Sequence, residues 1–186
     1  MAGPYFPNSS WTPFIYQGMT YSLDHLNEYE FTVVDTDKIE RKIAVTFADH
    51  CFTRDPEPGD DPALVYCGSD RRPGHFCFER YQLSKGLVDH IAYAAAGKVW
   101  TVDGGNFAAL PVLDQSGRTV LYGIIFGLDR VSGLPVDLHM RVKTAYPMDD
   151  DITTFGSVRF RHLVALRMKN KKPGRIAGER RHVPSV

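Results

Sequence analysis

Four side chains with chemistry of their own lie between Arg141 and Tyr146. Arg141 and Lys143 are cations, Thr144 carries a hydroxyl and Tyr146 a phenol, and Pro147 interrupts any regular strand beyond them. They close a strand-like run, Val136 to Val142. Cations, a hydroxyl and a phenol at a strand end are what a phosphate-gripping or phosphodiester-cleaving site uses, and a rigid sheet fixes their geometry. Strand alternation puts Lys143 and Ala145 on one face, with Val142, Thr144 and Tyr146 on the other. The same residues also suit the half-buried end of an ordinary strand, where Thr and Tyr are favoured.

Cleavage of RNA by its own 2′-hydroxyl needs a base, an acid and stabilisation of a phosphorane. His50 is the best base candidate. It lies in Asp49-His50-Cys51-Phe52-Thr53, at the end of an expected strand and ahead of an acidic loop. Asp49 does not orient it there, because strand neighbours point to opposite faces. A neutral histidine at a sheet edge is the plain alternative, and His90 and His139 are weaker choices. Arg80, with Arg71 and Arg72, gathers near the start of an expected helix, where guanidinium groups and helix amides suit an anion. An ion pair of Arg80 with Asp49, Glu79 or Asp89 is the structural alternative. A joint site requires His50 and Tyr146 within about 10 Å of each other.

No cofactor and no metal is expected. Cys51, Cys67 and Cys77 with His50 or His75 supply enough donors for zinc, but no Cys-x-x-Cys or His-x-x-x-His pair is present. Three free thiols also argue against a disulfide framework and for a reducing, cytoplasmic setting. No apolar run approaches the roughly 18–20 residues of a membrane span.

The net charge of +0 conceals an asymmetry. From Thr153 to His182 there are nine Lys or Arg and one acid, Glu179. Arg159-Phe160-Arg161-His162 alternates basic and aromatic residues, and Lys169, Lys171 and Lys172 follow. Such a stretch makes salt-sensitive, sequence-independent phosphate contacts, holds an acidic protein, or folds back on its own acidic body.

The elements that must position these residues read as α+β. Phe14 to Leu23 alternates like a strand. Glu30–Val34 and Lys42–Phe47 form a hairpin around Asp35 to Lys38. Arg54 to Gly74 is an acidic, Pro/Gly-rich loop carrying a short apolar segment, Ala63 to Tyr66. The spacing of Tyr81, Leu83, Leu87, Val88, Ile91 and Ala92 predicts one amphipathic helix over 78–96, capped by Gly97. Val99–Val102, Phe107–Leu113, Val120–Leu128 and Val136–Val142, parted by Gly-containing turns, predict an antiparallel meander. Val158 to Met168 suits a strand or a short helix. The expected architecture is one main helix on a twisted antiparallel sheet, with an additional N-terminal β-hairpin region. A single domain spans 1–168, and a basic tail follows over 169–186.

The Thr144-Ala145-Tyr146-Pro147 closing strand and the helix-then-sheet order from Phe78 to Tyr146 resemble the toxin nucleases of the barnase, EndoU, colicin and RelE-like group. The resemblance implies a small metal-independent ribonuclease of toxin or defence type. Thr144 and Tyr146 then match the hydroxyl-bearing positions of the last strand, and Arg141 or Lys143 grips phosphate. His50, Arg80, Lys143, Thr144 and Tyr146 are the candidate catalytic set. Arg159, Arg161, Lys169, Lys171 and Lys172 are the candidate nucleic-acid contacts. The partner is RNA or an acidic protein such as an antitoxin. The alternative is a non-catalytic binding or regulatory module, phage-derived in origin, that contacts protein or nucleic acid.

Overall fold

The computed structural model describes residues 4–7, 9–67, 73–148 and 152–175, with the backbone of 179–181. Arg71 and Arg72 lie outside the described residues. Two short strands, β1 (Phe14–Tyr16) and β2 (Met19–Tyr21), form a hairpin. β3 (Tyr29–Val34) and β4 (Glu40–Phe47) form the next, as their β-branched arms and Asp-rich turn require. A three-stranded sheet follows, built from β5 (Thr53–Arg54), β6 (Val65–Cys67) and β7 (Pro73–Phe76) in the order β5-β7-β6. The helices α1 (Phe78–Ser84) and α2 (Leu87–Ala96) lead into the meander β8 (Lys98–Val102), β9 (Gly105–Leu113), β10 (Thr119–Arg130) and β11 (Leu138–Pro147). The chain then makes β12 (Ile152–Thr154), β13 (Ser157–Arg159), α3 (Phe160–Met168) and β14 (Glu179–Arg181).

The main sheet has seven strands in the order β13-β8-β9-β10-β11-β4-β3. Its pairings are antiparallel except one: β11 runs parallel to β4, from Leu138↔Ile43 to Val142↔Phe47. The expected all-antiparallel sheet is therefore mixed. A parallel neighbour needs a long crossover, and everything from Ala48 to Asp137 supplies it. Burial explains why β4 tolerates this place. All five residues from Ile43 to Phe47 are buried, as in a strand covered on both faces.

The helices cover one face. β10 sends Tyr122, Ile124, Phe126 and Leu128 inward at alternate positions. They meet Leu87, Ile91 and Ala94 of α2, spaced i, i+4, i+7, and Phe160, Leu163 and Val164 of α3, spaced i, i+3, i+4. Phe126 lies 6.2 Å from Phe160 between ring centres. Truncating Phe126 to Ala in such a core costs about 3–5 kcal/mol.

The single expected helix over 78–96 is two helices. It breaks at Lys85–Gly86, where the Lys85 and Gly86 amides donate to Gln82 O (3.3 Å) and Leu83 O (3.2 Å). The His90 ring folds back over Gly86, so a β-carbon there would meet it at 2.8 Å. The ambiguous stretch after Val158 is also resolved, as the end of β13 followed by α3. Among the described residues there are thus three α-helices rather than one, and no helix is long and apolar enough to cross a membrane.

Described segments near either end of the chain are tied to the body. The Tyr5 and Phe6 amides donate to the Glu28 carboxylate at 2.7 and 3.0 Å, and the Phe6 ring stacks on His139 at 3.7 Å. Beyond α3, the Lys169 ammonium pairs with Asp37 (2.7 Å). Arg175 pairs with Asp103 (2.8 Å) and lies 3.8 Å above the Phe155 ring, and β14 pairs with β12. Of the alternatives open to the basic stretch, folding back on the body is the one seen at Lys169 and Arg175.

Candidate functional site

The parallel pairing of β4 with β11 ends at Phe47↔Val142. Ala48 still donates its amide to Val142 O at 2.8 Å, and the chain then turns through one 3-10 turn, Asp49–Cys51. His50 therefore sits in a turn rather than at a strand end. The buried Asp49 fixes that turn. Its carboxylate accepts the His50 amide (3.0 Å), and its carbonyl accepts the Phe52 amide (2.9 Å) and the Thr53 hydroxyl (3.0 Å).

Two parts of the fold converge on this turn. From β11, the Thr144 hydroxyl donates to the His50 carbonyl at 3.3 Å. From α1, Arg80 Nη1 donates to the same carbonyl at 3.3 Å and to the Thr53 carbonyl at 2.8 Å. The guanidinium carbon lies 5.2 Å from the centre of the Tyr146 ring, within cation–π range. His50, Arg80, Thr144 and Tyr146 thus form one half-exposed corner, although they come from distant parts of the chain.

Lys143 stands apart from it. The β10–β11 register shifts between Ile125 and Phe126: Phe126 pairs with Val142 and Ile125 with Thr144, which leaves Lys143 as the extra residue of a bulge. Its ammonium donates to Gly104 O in the β8–β9 turn. The bulge also changes the expected alternation. Val142 and Ala145 are both fully buried, so Thr144 and Tyr146 do not share a face with Val142.

Among the described residues Arg80 has no acidic partner, and the expected alternative of an ion pair with Asp49, Glu79 or Asp89 is not found. Both Nη1 protons are engaged by carbonyls. The donors on Nε and Nη2, the Tyr146 hydroxyl and the His50 imidazole have no hydrogen-bond partner among the described residues. Beneath the corner lie Cys51 and Tyr122, both completely buried. Burial pushes the Cys51 thiol and the Tyr122 phenol far above their ordinary pKa values, so both stay neutral. The Tyr122 hydroxyl has no hydrogen-bond partner among the described residues. Arg80 is therefore the corner's cation, above a neutral thiol and phenol and beside a turn that holds the buried Asp49 carboxylate.

The other candidates are elsewhere. Arg159 and Arg161 are exposed on β13 and at the start of α3, and Lys171 and Lys172 are exposed beyond it. β13 is four places from β11 in the sheet, roughly 19 Å at ~4.8 Å per strand. His139 is on β11, bonded to the Thr46 hydroxyl at 2.7 Å. His90 packs edge-on against Tyr122. The three cysteines are free, Cys51 buried and Cys67 exposed.

Reasoning from sequence missed what organises the corner, namely the main-chain carbonyls of His50 and Thr53. A carbonyl leaves no mark in a sequence. The short loop Asp49 to Thr53, rich in groups that bond their own backbone, was the available signal.

The sequence model of the YjaZ family matches residues 13–168, the greater part of the chain. This protein belongs to the YjaZ family. The matched span contains the whole corner together with Arg159 and Arg161, and it ends before Lys169, Lys171 and Lys172. No curated protein and no solved structure matches the chain.

Proposed function

We propose that this member of the YjaZ family is a binding module whose Arg80–Tyr146 corner grips a phosphate ester of RNA. One observation carries the reading: a half-buried guanidinium that has no acidic partner among the described residues lies over an aromatic ring, and no described residue takes up its Nε and Nη2 donors. That edge of a guanidinium matches two phosphate oxygens, and a tyrosine face offers a base somewhere to stack. Binding is favoured over cleavage because the Thr144 hydroxyl and Arg80 Nη1 are already engaged by the His50 and Thr53 carbonyls. Those are the groups that would have to stabilise a phosphorane.

The second reading is a metal-independent ribonuclease of toxin or defence type, with His50 as base. The presence of His50 in the same corner as Arg80, Thr144 and Tyr146 favours it.

Fluorescence anisotropy with a labelled single-stranded RNA tests the first reading. Arg80→Lys keeps the charge and loses the planar fork, so affinity should fall about tenfold, equal to about 1.4 kcal/mol. Affinity unchanged in both Arg80→Lys and Tyr146→Ala would remove this reading. RNA cleavage in EDTA that disappears in His50→Ala would establish the ribonuclease instead.

A further inference from the structure

We propose that the open edge of β9 docks an extended acidic peptide segment of a partner protein. β8 and β9 are joined by a tight turn and pair only from Val102↔Gly105 to Trp100↔Phe107. β9 continues to Leu113, paired with β10 along its other side from Asn106 to Leu113. Among the described residues, it has a strand neighbour on one side only from Ala108 onward. Antiparallel geometry decides which groups look out. Phe107 pairs with Trp100, so the backbone groups of every second residue after it, Ala109 and then Pro111, point to the same vacant side. Pro111 agrees with this. It lacks an N–H, and a strand tolerates proline only where its nitrogen meets no partner.

Lys98 would face Ala109 if the ladder continued, but the β8–β9 pairing stops short of it and the chain passes back into the end of α2. A pocket of about 350 Å³ occupies the gap, within the roughly 300–1,000 Å³ range of ligand sites. Ala94, Gly97 and Ala109 make a small-residue lining, Tyr93 and Trp100 add aromatic walls, and Lys98 supplies a charge. Tyr93 is 69% exposed, whereas Leu87, Ile91 and Ala94 of the same helix are buried.

Each feature meets one need of strand addition. Ala109 offers an amide and a carbonyl to a new strand, and Pro111 offers a carbonyl. The pocket takes one apolar side chain of the added segment. Charge complementarity selects the partner: Lys98 is cross-strand to Arg159, both are exposed, and no acidic residue lines the pocket among the described residues. A peptide rather than a nucleic acid fits, because the vacant edge is a main-chain ladder.

The test is selection of a random heptapeptide library on the immobilised full chain, followed by anisotropy with the enriched peptide made synthetically. Enriched sequences should carry Asp or Glu beside an apolar residue. Ala109→Pro removes only the donor on the vacant side, since the bonds to β10 come from Ala108 and Leu110. It should lower affinity tenfold or more with the melting temperature nearly unchanged. Tyr93→Ala tests the pocket without touching the backbone, with a similar loss expected, and Lys98→Glu should abolish the preference for acidic peptides. No enrichment, or equal binding by Tyr93→Ala and Lys98→Glu, would overturn the proposal. So would a dimer of this chain that Ala109→Pro dissociates, or an RNA oligonucleotide that displaces the peptide.

Discussion

The corner around Arg80 and the basic stretch beyond α3 both carry positive charge, and they hold it in opposite ways. Lys169 and Arg175 each have an acidic partner, Asp37 and Asp103, and both pairs are largely exposed. Arg80 is one residue, half-buried, and bonded to two carbonyls rather than to a carboxylate. Carbonyls orient a guanidinium without neutralising it. The density of Lys and Arg along a sequence is therefore a poor guide to where an anion is held. Pairing and burial decide it, because exposed charges are screened by solvent and salt.

The sharpest way to break this contrast is Arg80→Ala. It removes the cation of the corner and leaves the His50 and Thr53 carbonyls without that donor. RNA affinity should fall at least tenfold, and urea unfolding should register a loss of about 1–3 kcal/mol. If stability falls while RNA affinity holds, the corner is purely structural.

Acid should act on the body rather than on the basic stretch. Burial holds His25, His90 and His139 below the ordinary histidine pKa. Lys85 lowers His25 further while Asp24 opposes it, and Asp89 opposes the shift of His90. At His139, Glu28 and Asp129 oppose the shift and Arg141 adds to it. A folded-state pKa below the unfolded one means the unfolded chain takes up more protons as pH falls. Stability should therefore be fully present above about 6.5, the unfolded histidine value, and decline as the pH is lowered through and below it. Melting temperatures from pH 7.5 to 5 would check this, and a flat profile would contradict it.

Changes beyond α3 should be smaller. Lys171→Ala with Lys172→Ala should weaken RNA binding uniformly across sequences and reduce the salt slope by about two, one per phosphate contact. The smallest effect belongs to Asp37→Asn. Its exposed pair with Lys169 contributes about 0–1 kcal/mol, so unfolding should barely change.

The sequence carried the β3–β4 hairpin, the β8–β11 meander and the cap at Gly97, because alternation and turn residues are local signals. It did not carry the break at Gly86, where the continuous apolar spacing of Leu83, Leu87 and Ile91 hides a kink covered by the His90 ring. Nor did it carry the bulge at Lys143, which one strand cannot announce without its partner. That single residue turns Lys143 toward Gly104, away from the corner, and reverses the face assigned to Val142. His50, Arg80, Thr144 and Tyr146 were legible as residue types, but their meeting depends on the parallel β4–β11 pairing, a contact between distant segments. Arg159 and Arg161 were legible as exposed charge, and their separation from the corner follows from strand order alone.

The most direct test of the phosphate site is nuclear magnetic resonance of the Arg80 side chain during titration with the ribodinucleotide uridylyl-uridine. A saturable shift of the Arg80 Nε–Hε resonance, with Arg159, Arg161 and Arg175 unmoved, is the predicted result. Shifts confined to Arg159, Arg161 and Arg175, with Arg80 unchanged at saturation, would contradict it.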